Sequence, residues 1–164
     1  MTASYKLISA LFAIALLGAP AMAQQPAKSG TYTGKWGPHA VGQTYEVGKG
    51  HVFFVGTFYS VFFNDVAGGF LDKTEGTCPG VNDLVNGVSV AANGYCVMTD
   101  KDGDKAFFSW QGKGTGPGSY AGTFEWTGGT GKYSGIQGHN TWRGNGIGNT
   151  MAASIVWEGE WRLP

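Results

Sequence analysis

Four copies of Trp-x-Gly recur at near-equal intervals in the second half of this chain. They are Trp110-Gln111-Gly112, Trp126-Thr127-Gly128, Trp142-Arg143-Gly144 and Trp157-Glu158-Gly159, at steps of 16, 16 and 15 residues. A step of that size holds one strand of about ten residues and one turn. Four such units in series describe an antiparallel up-and-down meander, with successive tryptophans falling at opposite ends.

Alternate residues of a strand face opposite ways, so each unit can be split into two faces. The tryptophan parity reads Ala106, Phe108, Trp110; Tyr120, Gly122, Phe124, Trp126; Ile136, Gly138, Asn140, Trp142; and Ile155, Trp157, Gly159, Trp161, Leu163. It is almost wholly apolar and is expected inside. The other parity carries Glu125, His139, Arg143, Glu158 and Arg162 and is expected in water, where cross-strand charge pairs are weak. Upstream, strands are expected near residues 31–36, 51–63, 85–92 and 95–99, and the single helical candidate is one turn near 80–85. The count reaches about eight, enough to close an all-β, antiparallel up-and-down barrel and hide both sheet edges.

The segment 51–63 departs from the alternation, because Phe53, Val55, Tyr59, Val61 and Phe63 on one parity face Val52, Phe54, Phe58 and Phe62 on the other. One of these faces needs cover from outside the barrel. A homo-oligomer interface would supply it, and so would a loop held by a disulfide.

Residues 1–23 have the three parts of a secretory signal: an n-region ending in Lys6, an apolar run from Leu7 to Gly18, and the small-residue site Ala21-Met22-Ala23. The run is shorter than the roughly 20 residues a membrane-crossing helix needs, so no membrane span is expected after cleavage before Gln24. The expected address is periplasmic or secreted. Residues 24–30 read as a flexible lead-in and 31–164 as a single domain. Cys78 and Cys96 are the only cysteines, and an even pair in an oxidising compartment is expected to form a disulfide, worth about 3 kcal/mol for a loop of this size. With Lys6 removed, the 11 basic residues become 10 against 11 acidic ones. That balance offers no electrostatic footprint for nucleic acid.

The segment Thr127-Gly-Gly-Thr-Gly-Lys-Tyr-Ser-Gly-Ile-Gln-Gly138, with the preceding Tyr120-Ala-Gly-Thr-Phe-Glu-Trp126, resembles the glycine-rich connection between two late strands in the allene oxide cyclase and dirigent group of eight-stranded barrels. The resemblance covers about the last 60 residues. It implies an apolar barrel cavity, oligomer formation and cofactor-free handling of small hydrophobic molecules. No catalytic residue is carried over, because the early strands do not align with those of the group.

Other motifs resolve into simpler structure. Asp100-Lys-Asp-Gly-Asp104 has alternating carboxylates, but its glycine is fourth and Gln111 stands where an EF-hand needs Glu; a hairpin turn at Asp102-Gly103 explains it, and no metal is expected. Gly128 to Lys132 lacks the phosphate-loop spacing, and there is no G-x-S-x-G setting. His139 stands beside Glu125 of the neighbouring strand, a pairing expected to be solvated.

Six tryptophans in the chain are expected mainly to fill the interior. Asn140 is the exception that points to a site, since a buried amide needs hydrogen-bond partners, which a ligand, a trapped water or local backbone would supply. The leading expectation is an exported barrel binding a small apolar or aromatic molecule, without a cofactor, lined by Tyr59, Trp110, Trp126, Asn140 and Trp142. Two alternatives stand beside it: a cofactor-free isomerase, cyclase or lyase of the allene oxide cyclase type, and a structural or partner-binding protein with a filled barrel.

Overall fold

Aromatic and β-branched residues alternate with small ones along the whole domain and form nine strands. These are β1 (Ser29–Trp36), β2 (His39–Gly48), β3 (His51–Asn64), β4 (Thr74–Val85), β5 (Val88–Thr99), β6 (Lys105–Gly116), β7 (Ser119–Gly129), β8 (His139–Gly146) and β9 (Ala153–Arg162), with one 3-10 turn at Gly131–Tyr133. This is a computed structural model that describes residues 27–164. The expected signal peptide and the start of the lead-in lie outside the described residues. Ser29 and Gly30, placed in the lead-in by sequence, already pair with Arg162 and Trp161 as the start of β1.

The strands hydrogen-bond in the order β1-β9-β8-β7-β6-β5-β4-β3-β2, and β1 also pairs with β3. Gly37 and Pro38 interrupt what is otherwise one stave, because proline has no N–H to give to a ladder. β1 meets β3 from Gly34↔Asn64 to Trp36↔Phe62, and β2 continues along β3 from His39↔Tyr59 to Gly48↔His51. Counting β1 and β2 as one, eight staves close the sheet into the expected antiparallel barrel.

Membership differs from expectation in the first half. Residues 80–85 are the end of β4 rather than a helical turn, and 85–92 and 95–99 belong largely to one strand, β5. The cause is the turn at Asn86-Gly87, where φ is 50° and 79°, the pair of positive values that a two-residue hairpin demands. That turn makes two long strands of what reads, residue by residue, as several short pieces.

The alternation holds. Ala106, Phe108, Phe124, Trp126, Ile136, Asn140 and Trp157 of the tryptophan parity are buried, while on the outer parity Arg143 Nη1 lies 2.8 Å from Glu158 Oε1. In β3 the even residues Phe54, Phe58 and Phe62 turn inward, and Val55, Tyr59, Val61 and Phe63 are left exposed outside. Cys78 and Cys96 form the expected disulfide, but it joins facing residues of β4 and β5 inside the bore and so covers none of that outer face.

The core occupies the middle and one end of the barrel. Phe62, Phe108, Phe124 and Trp157 make the central layer, with ring centroids 4.5–5.4 Å apart. Beyond it, the connection after β3 folds Phe70 and Leu71 into the bore, where Phe70 stacks on Trp161 at 4.6 Å and meets Trp126, Tyr133 and Tyr32. Each such side chain removed from water stabilises the fold by about 1.5–3 kcal/mol.

Candidate ligand-binding site

The opposite end of the barrel is hollow. A cavity of about 420 Å³ opens there, above the central layer formed by Phe108, Phe124 and Trp157. Its wall is a chain of rings, Phe54 to Phe58 at 5.7 Å, Phe58 to Trp110 at 5.7 Å and Trp110 to Trp142 at 6.4 Å, with Trp36 and the Cys78–Cys96 disulfide completing it. The connection between β8 and β9 lines the mouth through Thr150, Met151 and Ala152. It is anchored there by hydrogen bonds from Ala40 N to Met151 O (2.8 Å) and from Ala153 N to Pro38 O (3.0 Å).

Glycine holds the space open. Gly80 and Gly94 on adjacent strands form a flat bed for the Trp110 ring, and Gly112 and Gly122 form one for Trp142; a Cβ at any of the four would overlap the indole above it. With no side chains beneath them, the indoles lie back against the wall instead of projecting into the bore. Their N–H edges are buried with them. Among the described residues the Nε1 atoms of Trp36, Trp110 and Trp142 find no acceptor, and being sealed from solvent they offer the cavity no donor either.

Among the described residues, no Asp, Glu, Lys, Arg or His lines this space. Tyr120 brings the wall a phenol hydroxyl, Thr44, Asn82 and Thr150 bring further side-chain polar groups, and the Trp157 indole also lies in the lining. The strongly shifted groups lie elsewhere, most of them at the filled end. Burial raises the Tyr32 hydroxyl well above its usual value. Hydrogen bonds from Lys101 and then Lys132 lower Asp102 from 3.8 to about 2. The acidic turn that superficially suggests a calcium loop is occupied by a lysine: Lys132 Nζ lies 2.6 Å from Asp100 Oδ2 and 2.9 Å from Asp102 Oδ2.

Of the five residues singled out by sequence, the structure brings Trp110 and Trp142 together in the cavity wall. The other three are elsewhere. Tyr59 is on the outer parity of β3, 46% exposed, and Phe58 takes the inward place. Trp126 belongs to the filled end, where its Nε1 donates to Glu160 O at 3.2 Å. Asn140, only 1% exposed, is satisfied from within the protein. Tyr32 donates to its Oδ1 at 3.0 Å, and its Nδ2 reaches Phe124 O and Gly138 O at 3.4 Å each. His139 and Glu125 are an exposed surface pair at 3.3 Å.

The wall residues that sequence reading passed over are Trp36, Phe54, Phe58, Asn82 and Tyr120. Asn82 was within reach of a pattern argument. Taking Asn86-Gly87 as a hairpin turn makes 74–85 a strand, and parity from the inward Cys78 then places Asn82 inside.

Two solved structures match this architecture over nearly their full length. One is a pterocarpan synthase dirigent protein, PsPTS1, with TM-score 0.53 and 14% identity over 85% of this chain and 98% of that one. The other is the pterocarpan synthase dirigent protein GePTS1, with TM-score 0.52 and 11% identity over 84% and 92%. The barrel is similar in fold to those of dirigent proteins. Both neighbours are dirigent proteins, so the dirigent part of the resemblance read from sequence is supported at the level of the fold. At these identities the likeness is one of fold. The sequence matches no protein-family model and no curated protein.

Proposed function

We propose that this dirigent-like barrel binds a small, uncharged, largely apolar or aromatic molecule in its hollow end. The observation that carries the reading is the aromatic-walled cavity of about 420 Å³, within the size range of small-ligand sites, with no charged side chain in its lining among the described residues. Burying a charged group there without a partner would cost several kcal/mol, which restricts the ligand to neutral species. A barrel filled at both ends is disfavoured by the same cavity. The cyclase or lyase reading has one feature to build on, the Tyr120 hydroxyl, and the neighbours' description as pterocarpan synthases gives it a precedent on this fold. Export by a cleaved signal and a second copy covering the outer face of β3 complete the proposal.

The test is a fluorescence titration with a neutral solvatochromic dye such as Nile red, on the unaltered protein and on Ala92→Phe. Ala92 lines the cavity and faces inward, so a phenyl group there fills the space. Saturable one-to-one binding that Ala92→Phe weakens at least tenfold supports the reading. Binding of equal strength by both proteins would place the dye elsewhere and contradict it.

A further inference from the structure

Among the described residues the cavity wall holds one side-chain amide, and its orientation is set by a neighbour. Asn82 sits on the inward parity of β4, four residues beyond Cys78, where it lines the cavity. Across the ladder, Ser89 of β5 is 2% exposed, and its hydroxyl donates to Asn82 Oδ1 at 2.6 Å. The amide oxygen is thereby engaged at the wall. Asn82 Nδ2 makes no hydrogen bond among the described residues, and it is not sealed from the cavity as the indole nitrogens are. Two other polar groups of the wall are less available to a ligand. Thr150 spends its hydroxyl on Ile147 O at 2.7 Å, and Thr44 is exposed on β2.

We infer that Asn82, fixed by Ser89, is the residue that orients the ligand, and that the ligand is a neutral aromatic or apolar molecule carrying an exposed hydrogen-bond acceptor such as a ketone, ester or ether oxygen. The inference rests on the binding role proposed above and specifies its chemistry. Ser89 already engages the amide oxygen from the wall, leaving it one lone pair, while both Nδ2 hydrogens are unpaired among the described residues, so the amide favours a ligand acceptor over a ligand donor. In an apolar enclosure such a donor discriminates strongly, because a ligand lacking the acceptor leaves it dehydrated and unpaired. The rings supply affinity without direction, while the amide supplies direction.

The experiment uses two probes of nearly the same shape, benzophenone and 1,1-diphenylethylene, which differ by a carbonyl oxygen against a methylene. Each is titrated calorimetrically into the full-length protein and into Asn82→Leu, Ser89→Ala and Tyr120→Phe. The quantity read is the ratio of the two affinities within each protein, which cancels general effects on packing. The inference predicts that Asn82→Leu shifts this ratio against benzophenone by about fivefold or more. Ser89→Ala should shift it about twofold in the same direction by releasing the amide, and Tyr120→Phe should shift it less than Asn82→Leu does. Ser89→Ala removes a single oxygen and keeps the question open to test if Asn82→Leu does not fold. An unchanged ratio in both Asn82→Leu and Ser89→Ala overturns the role of Asn82 while leaving the cavity reading intact. A ratio that collapses only in Tyr120→Phe overturns it in favour of the phenol. Failure of the unaltered protein to bind either probe, or Nile red, overturns the binding function itself.

Discussion

The two ends of this barrel share eight staves, one parity rule and the same supply of aromatic residues, yet one is solid and the other hollow. The difference lies in the connections. At the solid end the chain passes through 65–73, 100–104 and 130–138, long enough to fold Phe70, Leu71, Tyr133 and Ile136 into the bore. At the hollow end three of the four connections are the two-residue turns Lys49-Gly50, Asn86-Gly87 and Pro117-Gly118, which have nothing to insert. Aromatics there sit on glycine beds along the wall instead of in the middle. Whether a barrel of this size binds anything is therefore decided by its turns as much as by its strands.

The largest effect that would sharpen this contrast is on stability. Phe62, fully buried in the central layer, should cost about 4 kcal/mol when changed to Ala, whereas Phe58→Ala, on a ring that already faces empty space, should cost about half as much. Chemical denaturation of the two variants measures this, and equal losses would mean that the hollow end is in truth packed. Next, Gly112→Ala should drive the Trp142 ring off its bed and into the cavity, costing about 1–3 kcal/mol and weakening Nile red binding. Tyr32→Phe should cost about 1 kcal/mol by stranding Asn140 Oδ1, with no change in dye affinity, because that pair lies outside the cavity. Loss of binding in Tyr32→Phe would merge two regions that are held here to be separate.

The smallest effect concerns acid. Asp72, held low chiefly by the Gly68 N–H, and Asp102, lowered to about 2 by Lys101 and then Lys132, both lie in solid-end connections. Asp100 joins them: burial is the largest single influence and opposes its ionisation, but the hydrogen bonds from Lys132 and from the Asp102 and Asp104 N–H groups, with the Lys132 charge, together lower its value. A carboxyl lowered on folding stabilises the native state above its unfolded value, here 3.8, and loses that contribution as pH falls through the folded value. Hydrogen exchange between pH 4 and 2 should accordingly show 65–73 and 100–104 loosening first, and Lys132→Met should reduce the pH dependence at 100–104. Loosening that begins at the β8–β9 connection would contradict the assignment.

The second half of the molecule was readable because its evidence is local. Four Trp-x-Gly units and a strict alternation state the strands and their inner face within a few residues, and two cysteines in a small chain name their own partner. Segment 51–63 was not readable, because it is apolar on both parities; only its register against β4, which brings Phe58 opposite the inward Cys78, decides that Tyr59 points out. Asn140 looked like a ligand contact because its partner Tyr32 stands 108 residues away in sequence. The glycines of β4 to β7 resemble turn signals when taken alone. Their meaning, a bed for a ring on the next strand, exists only once the strands are paired.

Xenon under pressure in crystals of the protein tests the contrast between the ends most directly, since it enters apolar voids without needing hydrogen bonds. Xenon should appear in the hollow end against Trp110 and Trp142, and nowhere among Phe70, Trp126 and Tyr133. Xenon at the Phe70 end, or an empty map with Trp142 folded across the bore, would contradict the account.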